Sequence, residues 1–143
     1  DLEYDPRDFA HMLPLFRLPH VDVVFGSRRM ISSNPTSSAF YSRVAPFVDI
    51  VNNLLYGVRL TDQFTCYKMI RRDLLMRIPL RSSGFEVDAE LNAKLLRRGT
   101  LIVEVPITYH PRTIAEGKKI RLRVGFVWMW TILKHRFSDP RSW

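Results

Sequence analysis

The chain has 143 residues, enough for one domain with its own hydrophobic core, and its 46% hydrophobic and 25% charged residues exclude a globally disordered protein. Its 22 Lys and Arg outnumber 14 Asp and Glu for a formal net charge of +8, so we expect an anionic partner: a nucleic acid, a phosphorylated substrate or an acidic membrane surface. The single cysteine, Cys66, excludes an internal disulfide and is typical of a reducing compartment.

The start and the apolar runs of the chain predict neither a leader nor a membrane span. The first residues are acidic and polar, unlike the basic and then apolar start of a signal peptide. The longest apolar and aromatic run, from Phe126 to Leu133, is far shorter than the roughly 18 to 20 residues that cross a bilayer. Because the chain opens without Met on an acidic cluster, we expect a fragment of a longer protein.

Apolar periodicity and turn residues predict helices alternating with strands, which implies an α/β or α+β layer structure. In chain order we expect a short helix at 8–16, a buried strand at 21–25, a polar loop at 31–38, a helix at 40–56, a short strand at 66–70, a helical turn at 73–76, an amphipathic helix at 85–98, a strand at 101–105, a basic loop at 110–119 and an aromatic-rich helix at 124–137. Asp5-Pro6 marks the start of the first helix, and Gly57 and Gly99 mark the ends of two later ones. Pro46 is expected to kink the helix that contains it.

Three carboxylates, Asp1, Glu3 and Asp5, alternate at the start of the chain. Alternate side chains of an extended segment point to one side, and hard oxygen ligands of this kind suit Mg²⁺ or Mn²⁺. The competing interpretation is a solvated acidic terminus in which Asp5 caps the first helix. On spacing alone the second interpretation is favoured, and Asp5 fits a cap better than a ligand.

Gly26-Ser27-Arg28 directly follows the predicted buried strand. Ligands of open α/β sheets bind at the carboxyl ends of strands. Glycine permits a close backbone approach, the serine hydroxyl donates a hydrogen bond, and arginine suits phosphate. A turn with a surface arginine explains the same residues equally well.

Glu86 and Glu90 lie one turn apart on the helix at 85–98, so they share a face. Paired carboxylates position an acceptor or act as acid and base, which makes both residues catalytic candidates. Acidic residues in the first helical turn also favour the macrodipole, which explains Glu86 well and Glu90 less well.

The densest basic region contains Arg112, Lys118, Lys119 and Arg121. These side chains can converge on a phosphate or a pyrophosphate. A solvated basic loop is the competing interpretation, and His110 beside it is interpreted as structural or surface-exposed.

Five motifs stand in order along the chain: D-L-E-Y-D-P, V-F-G-S-R, L-T-D-x-x-T-C-Y-K, G-F-E-x-D-A-E-L and E-V-P-I-T-Y-x-P-R-T-x-x-E-G-K-K-I. Each motif is weak alone, but the ordered set resembles the family 2 glycosyltransferases of GT-A fold, such as dolichyl-phosphate mannose synthases and polyprenyl-phosphate glycosyltransferases. The match runs from Asp1 to about Phe137. The resemblance implies an α/β fold with a GT-A-type mixed sheet flanked by helices. It also implies that residues 1–143 are the C-terminal, acceptor-side part of one domain whose N-terminal nucleotide-binding half is missing.

The resemblance assigns metal and substrate roles to individual residues. Asp1 matches the second aspartate of a D-x-D motif that binds Mg²⁺ or Mn²⁺, and Glu3 matches a nearby position that completes the metal site. Asp62 matches an aspartate near the reacting sugar. The candidates for substrate binding, mostly at phosphate groups, are Ser27, Arg28, Arg43, Lys68, Arg112 and Lys118. Cys66 stands where relatives often carry glycine, so we expect packing rather than chemistry from its thiol.

The implied reaction is a metal-dependent transfer of a hexose, mannose or glucose, from a nucleotide sugar of the GDP-mannose or UDP-glucose type to a polyprenyl or dolichyl phosphate. A phosphate monoester has a second pKa of about 6, so the acceptor is largely a nucleophilic dianion at neutral pH and no strong general base is required. Without the donor-binding half, the fragment alone is expected to be inactive. The enzyme is expected in the cytoplasm, peripheral on the inner face of the membrane.

The last helix, about 121–137, mixes tryptophan and phenylalanine with basic residues, which suits a helix at a membrane interface. A helix docked on the core through its aromatics explains the same pattern. Two other functions stay open: a family 2 transferase with a soluble or glycan acceptor, and a basic membrane- or nucleic-acid-binding module. Because no recognised nucleic-acid motif is present, we expect no nucleic-acid partner.

Overall fold

The computed structural model describes residues 3–35, 39–112 and 122–139, without the side chains of 39–43 and 122–123. Its strands are β1 (Val23–Ser27), β2 (Lys68–Ile70) and β3 (Ile102–Pro106). Its α-helices are α1 (Phe9–Met12), α2 (Ala39–Tyr56), α3 (Arg72–Leu75), α4 (Glu86–Arg97) and α5 (Leu122–Phe137), and two 3₁₀ helices span Pro6–Asp8 and Leu13–Arg17. The predicted α/β class is confirmed as a mixed sheet flanked by helices.

The middle strand of the described sheet is β1, in the order β2-β1-β3. Val23 pairs with Ile70 in an antiparallel ladder and with Ile102 in a parallel one. Two parallel strands need a long crossover, and the crossover here contains α2, β2, α3 and α4. All five residues of β1 are buried, as expected for an apolar strand covered on both faces. The predicted strand at 21–25 exists, but it begins and ends two residues later.

Side chains of β1 alternate between two cores, because successive residues of a strand point to opposite faces. Val24 packs with Met12 and Ile107 on one face, whereas Phe25 packs with Leu95 on the other. A third cluster lies between α2, α4 and α5, and its buried members are Val48, Ala89, Trp128 and Ile132. The aromatic helix α5 is thus docked on the body of the protein through Trp128.

The helix predicted at 8–16 is wrong as one continuous element. Pro14 lies in the first turn of a 3₁₀ helix, where a residue without an amide proton is tolerated, so the α-helix ends before it. The change of helix type means that Phe9, Met12 and Leu13 do not share one buried face, as they would in a continuous amphipathic helix. Met12 is fully buried, while Phe9 is 39% exposed and Leu13 is 61% exposed.

Proline and glycine account for most other boundaries. Gly57 and Gly99 follow α2 and α4 with φ of 69° and 68°, the left-handed conformation of a helix-ending glycine, which confirms both predicted ends. The strand predicted at 101–105 runs from Ile102 to Pro106, and proline is tolerated as its last residue because β3 lies at an edge of the described sheet. The helix α2 runs on through Pro46. No helix within the described ranges is long and apolar enough to cross a bilayer.

Candidate active site

The carboxyl ends of β1 and β3 meet at one edge of the sheet, because the strands are parallel and Ser27 pairs with Pro106. A bridge between Tyr4 and Tyr109 brings the N-terminal segment to the same edge. The hydroxyl of the fully buried Ser27 lies 2.7 Å from the hydroxyl of Thr61, so the turn at 60–63 also reaches this place. Four separate segments therefore converge where ligands of α/β sheets bind.

Arg28 and Asp62 form a two-pronged ion pair at this edge. Nε of Arg28 donates to Oδ2 of Asp62 at 2.6 Å, and Nη2 donates to Oδ1 at 2.7 Å. The backbone amide of Arg28 also donates to Oδ2 at 3.0 Å. Asp62 is fully buried, and the guanidinium lies 5.1 Å from the centre of the Tyr109 ring. This geometry fixes the orientation of the guanidinium at the strand ends.

The turn that carries Asp62 is held by side chains from two neighbouring elements. Glu104 of β3 accepts hydrogen bonds from the amides of Thr61 at 2.8 Å and Asp62 at 3.0 Å. Asn53 of α2 accepts from the amide of Leu60 at 3.1 Å and donates to its carbonyl at 2.8 Å. Because these backbone groups have side-chain partners, the position of Asp62 depends on both α2 and β3.

A second arginine and carboxylate lie beside the first pair. Nη1 of Arg29 lies 2.6 Å from Oδ2 of Asp49 and donates to the carbonyl of Thr61 at 2.9 Å. Oδ1 of Asp49 accepts from the amide of Gln63 at 3.2 Å. Burial raises the pKa of the Asp49 carboxyl to about 7, although the Arg29 guanidinium opposes the shift. A carboxyl that titrates near neutral pH thus lies next to the site.

Glu3 joins the N-terminal segment to the loop after β3. Its Oε2 accepts from the hydroxyl of Tyr109 at 3.1 Å, and its Oε1 accepts from the amide and Nε of Arg112 at 3.0 and 3.3 Å. Glu3 is 6% exposed, whereas the Arg112 side chain is 42% exposed. A predicted metal ligand and a predicted substrate residue are therefore in direct contact.

The described residues do not by themselves assemble a metal site. No group of three His, Cys, Asp or Glu within the described ranges could hold a metal ion. Both carboxylate oxygens of Glu3 accept hydrogen bonds, and the Arg112 guanidinium would lie beside a cation bound there. Asp1, the other predicted ligand, lies outside the described residues. Within the described residues Glu3 is thus held by cationic and neutral donors, so a metal ion beside it would need Asp1 as a further ligand.

Lys68 and Glu86 are two further predicted site residues whose contacts the structure describes. Lys68 forms an ion pair with Asp88 of α4 and donates to the carbonyl of Gln63 at 3.1 Å, so it ties the turn at 60–63 to α4. Glu86 folds back over Gly84, where a Cβ atom would touch its carboxylate. The substrate and catalytic roles of both residues stay predictions.

Glu90, the second predicted catalytic carboxylate, is buried among structural partners. It lies 2.6 Å from the Lys94 ammonium and accepts from the amides of Arg81 and Ser82 at 3.1 and 2.8 Å. Burial raises the pKa of Glu90, but the ammonium and these amides outweigh burial and lower it to about 2. A carboxylate kept ionised in this way is a poor proton donor near neutral pH, so its contacts favour a structural role.

Three predicted residues cannot be placed at the site from the described geometry. Asp1 and Lys118 lie outside the described residues, and Arg43 lies in α2 without a described side chain. Their metal and substrate roles stay predictions.

Asp49, Glu104 and Tyr109 were not singled out from the sequence as site residues. Asp49 is the one acidic residue of α2, and Glu104 is the one charged residue of β3. A lone carboxylate in a largely apolar helix or strand is the signal that would have found both, because such a group needs a partner once it is buried. Tyr109 lies inside the fifth motif, but a tyrosine between a strand and a basic loop carries no signal that separates a site residue from a packed one.

Two curated proteins are similar to this chain. It is 30% identical over 125 residues to an undecaprenyl-phosphate mannosyltransferase of Micrococcus luteus, an alignment that covers 82% of this chain and 49% of that protein. It is 28% identical over 114 residues to a low-salt glycan biosynthesis hexosyltransferase of Haloferax volcanii, with 78% and 28% covered. The chain thus spans about half the length, or less, of these relatives. Both names support a glycosyltransferase family. No protein-family model matches the chain, and no solved structure matches it significantly.

Proposed function

We propose that the protein containing this chain is a family 2 glycosyltransferase of GT-A fold. It transfers a hexose, mannose or glucose, from a nucleotide sugar of the GDP-mannose or UDP-glucose type to a polyprenyl or dolichyl phosphate. Residues 1–143 form the acceptor-side part of its catalytic domain. The observation that carries the proposal is the Arg28–Asp62 pair at the carboxyl ends of two parallel strands. The printed name of the Micrococcus luteus relative supports a polyprenyl-phosphate acceptor.

The proposed transfer requires the protein to position two anionic groups, and it does not require a strong general base. A phosphate monoester, with a second pKa of about 6, is largely a dianion at neutral pH and attacks the anomeric carbon as the nucleoside diphosphate leaves. The protein must hold both anionic groups in line and stabilise the departing charge. Arg28, oriented by Asp62, supplies one cation at the strand ends. Arg112, on the adjoining loop, supplies a second.

Replacing Arg28 tests this role in the full-length protein. Losing one charge-assisted contact to phosphate costs about 1.5 to 3 kcal/mol, so Arg28→Ala should lower kcat/KM for the polyprenyl phosphate by roughly 10- to 150-fold. Arg28→Lys should recover little, because a point charge cannot reproduce a bidentate fork. The measurement is steady-state kinetics with varied acceptor at fixed donor.

The matched control is Arg7→Ala, because the Arg7 side chain is 91% exposed and forms its ion pair with Asp5 at the surface. It should leave both kinetics and stability nearly unchanged. Circular dichroism must show that the Arg28 variants remain folded, since Asp62 loses its partner in them. Folded Arg28 variants with efficiency near that of the wild type would contradict the proposed role.

The proposed metal dependence rests on Asp1 rather than on the described geometry. We propose that Asp1 and Glu3 hold Mg²⁺ or Mn²⁺, which would neutralise charge on the leaving diphosphate. Asp1→Ala in the full-length protein should abolish metal-stimulated transfer without unfolding it. Transfer is measured after chelation and stepwise return of the metal, with Asp5→Ala as the control, because Asp5 caps a helix. Metal-stimulated activity within a few-fold of wild type would remove Asp1 from the metal site.

A second acceptor class is supported by the name of the Haloferax volcanii relative, a glycan biosynthesis hexosyltransferase. Under this alternative the same fold transfers the hexose to a soluble or glycan acceptor. Comparing a long-chain polyprenyl phosphate with a water-soluble sugar acceptor at equal concentration separates the two. Transfer that needs the lipid phosphate supports the primary proposal.

An enzyme with a lipid acceptor must bind a membrane, and the neighbouring helices α2 and α5 carry exposed apolar side chains that could do so. The outer stripe of α5 holds Phe126, Trp130 and Phe137, which are 76%, 67% and 75% exposed. The exposed apolar side chains of α2 are Phe47, Ile50 and Leu54. The only carboxylate in either helix is Asp49 of α2, which is buried, so the outer faces carry no negative charge. We propose that this surface rests on the anionic inner face of the membrane.

Binding of the full-length protein to lipid vesicles tests the proposed surface. Phe126→Ser with Trp130→Ser should weaken binding to vesicles rich in anionic lipid by at least tenfold, because two large aromatics leave the interface. Met76→Ser, at a 71% exposed methionine on another face, is the matched control. Unchanged vesicle binding would show that another part of the protein covers or replaces this surface.

A further inference from the structure

Asp49 stands out as a buried titratable group that the proposed chemistry does not use. It is 3% exposed, yet its carboxylate lies between two sequence neighbours of the Arg28–Asp62 pair: Arg29, next to Arg28, and Gln63, next to Asp62. One carboxylate therefore touches both segments that supply the Arg28–Asp62 pair.

The contact between Asp49 and Arg29 is close but poorly aligned. Nη1 of Arg29 lies 2.6 Å from Oδ2 of Asp49, while no hydrogen bond from the described residues is directed onto that oxygen. Attraction between opposite charges thus contributes more to the pair than hydrogen bonding does. The Arg29 side chain is 31% exposed, so a ligand can reach it from solvent. An anionic group can thus compete with Asp49 for this guanidinium.

The charged groups around Asp49 determine whether its carboxyl is protonated when Arg29 binds another anion. Arg29 is the cation that faces it from the segment after β1, and Asp62 is a second carboxylate facing it from the turn. Glu104 of β3 acts one residue further away, through Thr61, and Lys68 of β2 through the carbonyl of Gln63. If a phosphate takes part of the charge of Arg29, Asp49 is left buried beside further negative charge. Such a group lowers its free energy by taking up a proton.

We propose that Asp49 is a positioning residue for Arg29: it holds the guanidinium beside Ser27 and Arg28 and takes up a proton from solvent when a substrate phosphate draws that guanidinium to itself. The inference rests on the proposed function, because the phosphate is that of the acceptor. The proton balance is simple, since the Asp49 carboxylate becomes a carboxylic acid and no covalent bond of the substrate changes.

Calorimetric titration of the full-length protein with a short-chain prenyl phosphate measures the proton directly. Experiments at pH 8 in buffers of different ionisation enthalpy should show uptake of more than half a proton per ligand bound. At pH 8 the ligand is already a dianion, so the proton must enter the protein. Because the free carboxyl titrates with a pKa of about 7, affinity should fall about tenfold between pH 6 and pH 8 relative to a variant that cannot titrate.

Asp49→Asn is that variant, since it keeps the shape and loses the charge. It should bind the prenyl phosphate with no proton uptake and without the wild-type fall in affinity. Asn53→Ala, which loosens the same turn from the same helix, should weaken binding but retain the uptake. Where Asp49→Asn does not fold, the wild-type proton count alone decides.

The outcomes separate the inference from the proposed function. Binding by wild type and Asp49→Asn with the same proton count, or wild-type binding without uptake, overturns the role of Asp49 and leaves the transferase standing. Absence of binding by the wild type at every pH contradicts the acceptor itself, and the inference fails with it.

Discussion

At the scale of single residues, the buried carboxyl of Asp49 should make the stability of the protein depend on pH. Its pKa is raised from 3.8 to about 7 in the folded protein, because burial disfavours the charged form. A raised pKa means that the folded state binds the proton more tightly than the unfolded state does. The resulting stability is fully present below about pH 4, is lost as the pH rises to about 7, and is absent above that.

Asp49→Asn should therefore change the pH dependence of unfolding. Between pH 4 and pH 8 the wild type should lose up to about 4 kcal/mol that the variant does not lose, since three pKa units correspond to about that free energy. Urea unfolding at several pH values gives the difference between the two curves, in which the other titrating groups cancel. Parallel curves for the two proteins would show that Asp49 does not carry the shift.

The buried pair of Glu90 and Lys94 provides a second test at the same scale. Both side chains are at most 1% exposed and lie 2.6 Å apart. Lys94→Met should destabilise the protein by about 3 to 5 kcal/mol, because it leaves a buried carboxylate without its cation. Thermal unfolding of Lys94→Met, and of Lys94→Met with Glu90→Gln, measures this. The double variant should be the more stable of the two; an equal loss in both would mean that charge is not the cause.

At the scale of elements, the sequence predicted a strand or helix correctly where a single local pattern, such as an apolar run or a helix-ending glycine, specifies it. The apolar run of β1 and the helix-ending glycines Gly57 and Gly99 specify their elements locally, and all are present. The prediction of one helix at 8–16 was wrong because Pro14 begins a 3₁₀ segment. The spacing of apolar residues alone does not reveal such a change of helix type. Asp5 was correctly predicted as a cap, since its carboxylate accepts from the amide of Arg7 at 2.9 Å.

Gly26 shows how two elements constrain each other. A Cβ atom at Gly26 would lie 2.6 Å from Cγ2 of the fully buried Ile107. Glycine at this position therefore lets the side chain of Ile107, the residue after β3, pack directly against the backbone of β1. Gly26→Ala should destabilise the protein by about 1 to 3 kcal/mol through overpacking. Adding Ile107→Ala should make the double variant more stable than the sum of the two single changes predicts. Denaturant unfolding measures all three variants, and strict additivity would contradict the contact.

At the scale of the whole molecule, the sequence predicted candidate site residues but not the contacts between them. The motifs located Ser27, Arg28 and Asp62, and the rule for strand ends placed the first two at the sheet edge. The ion pair of Asp62 with Arg28 depends on the strand order β2-β1-β3, and so does the hydrogen bond from the Asp62 amide to Glu104. No local sequence pattern encodes that order. Buried partners such as Asp49 are visible only once α2 has been packed against the turn.

The bridge between the N-terminal segment and the loop after β3 also bears on the order of folding. Its hydrogen bonds join residues far apart along the chain: Thr108 donates to Asp8, His110 donates to the carbonyl of Glu3, and Arg112 donates to Glu3. Contacts separated by about a hundred residues carry more loop-closure entropy than shorter-range ones, so we expect them to form later. A growing chain can pair β1 with β2 long before Arg112 has been synthesised.

Pulse-labelled hydrogen exchange during refolding should therefore protect the amide of Gly26, bonded to Tyr67 at 2.8 Å, before the amide of His110, bonded to Glu3 at 2.8 Å. Simultaneous protection would contradict this order. If it holds, the centre of the sheet forms while the contacts of Glu3 with the loop after β3 are still open. A nascent chain thus completes this end of the sheet only after nearly the whole of this region has been made.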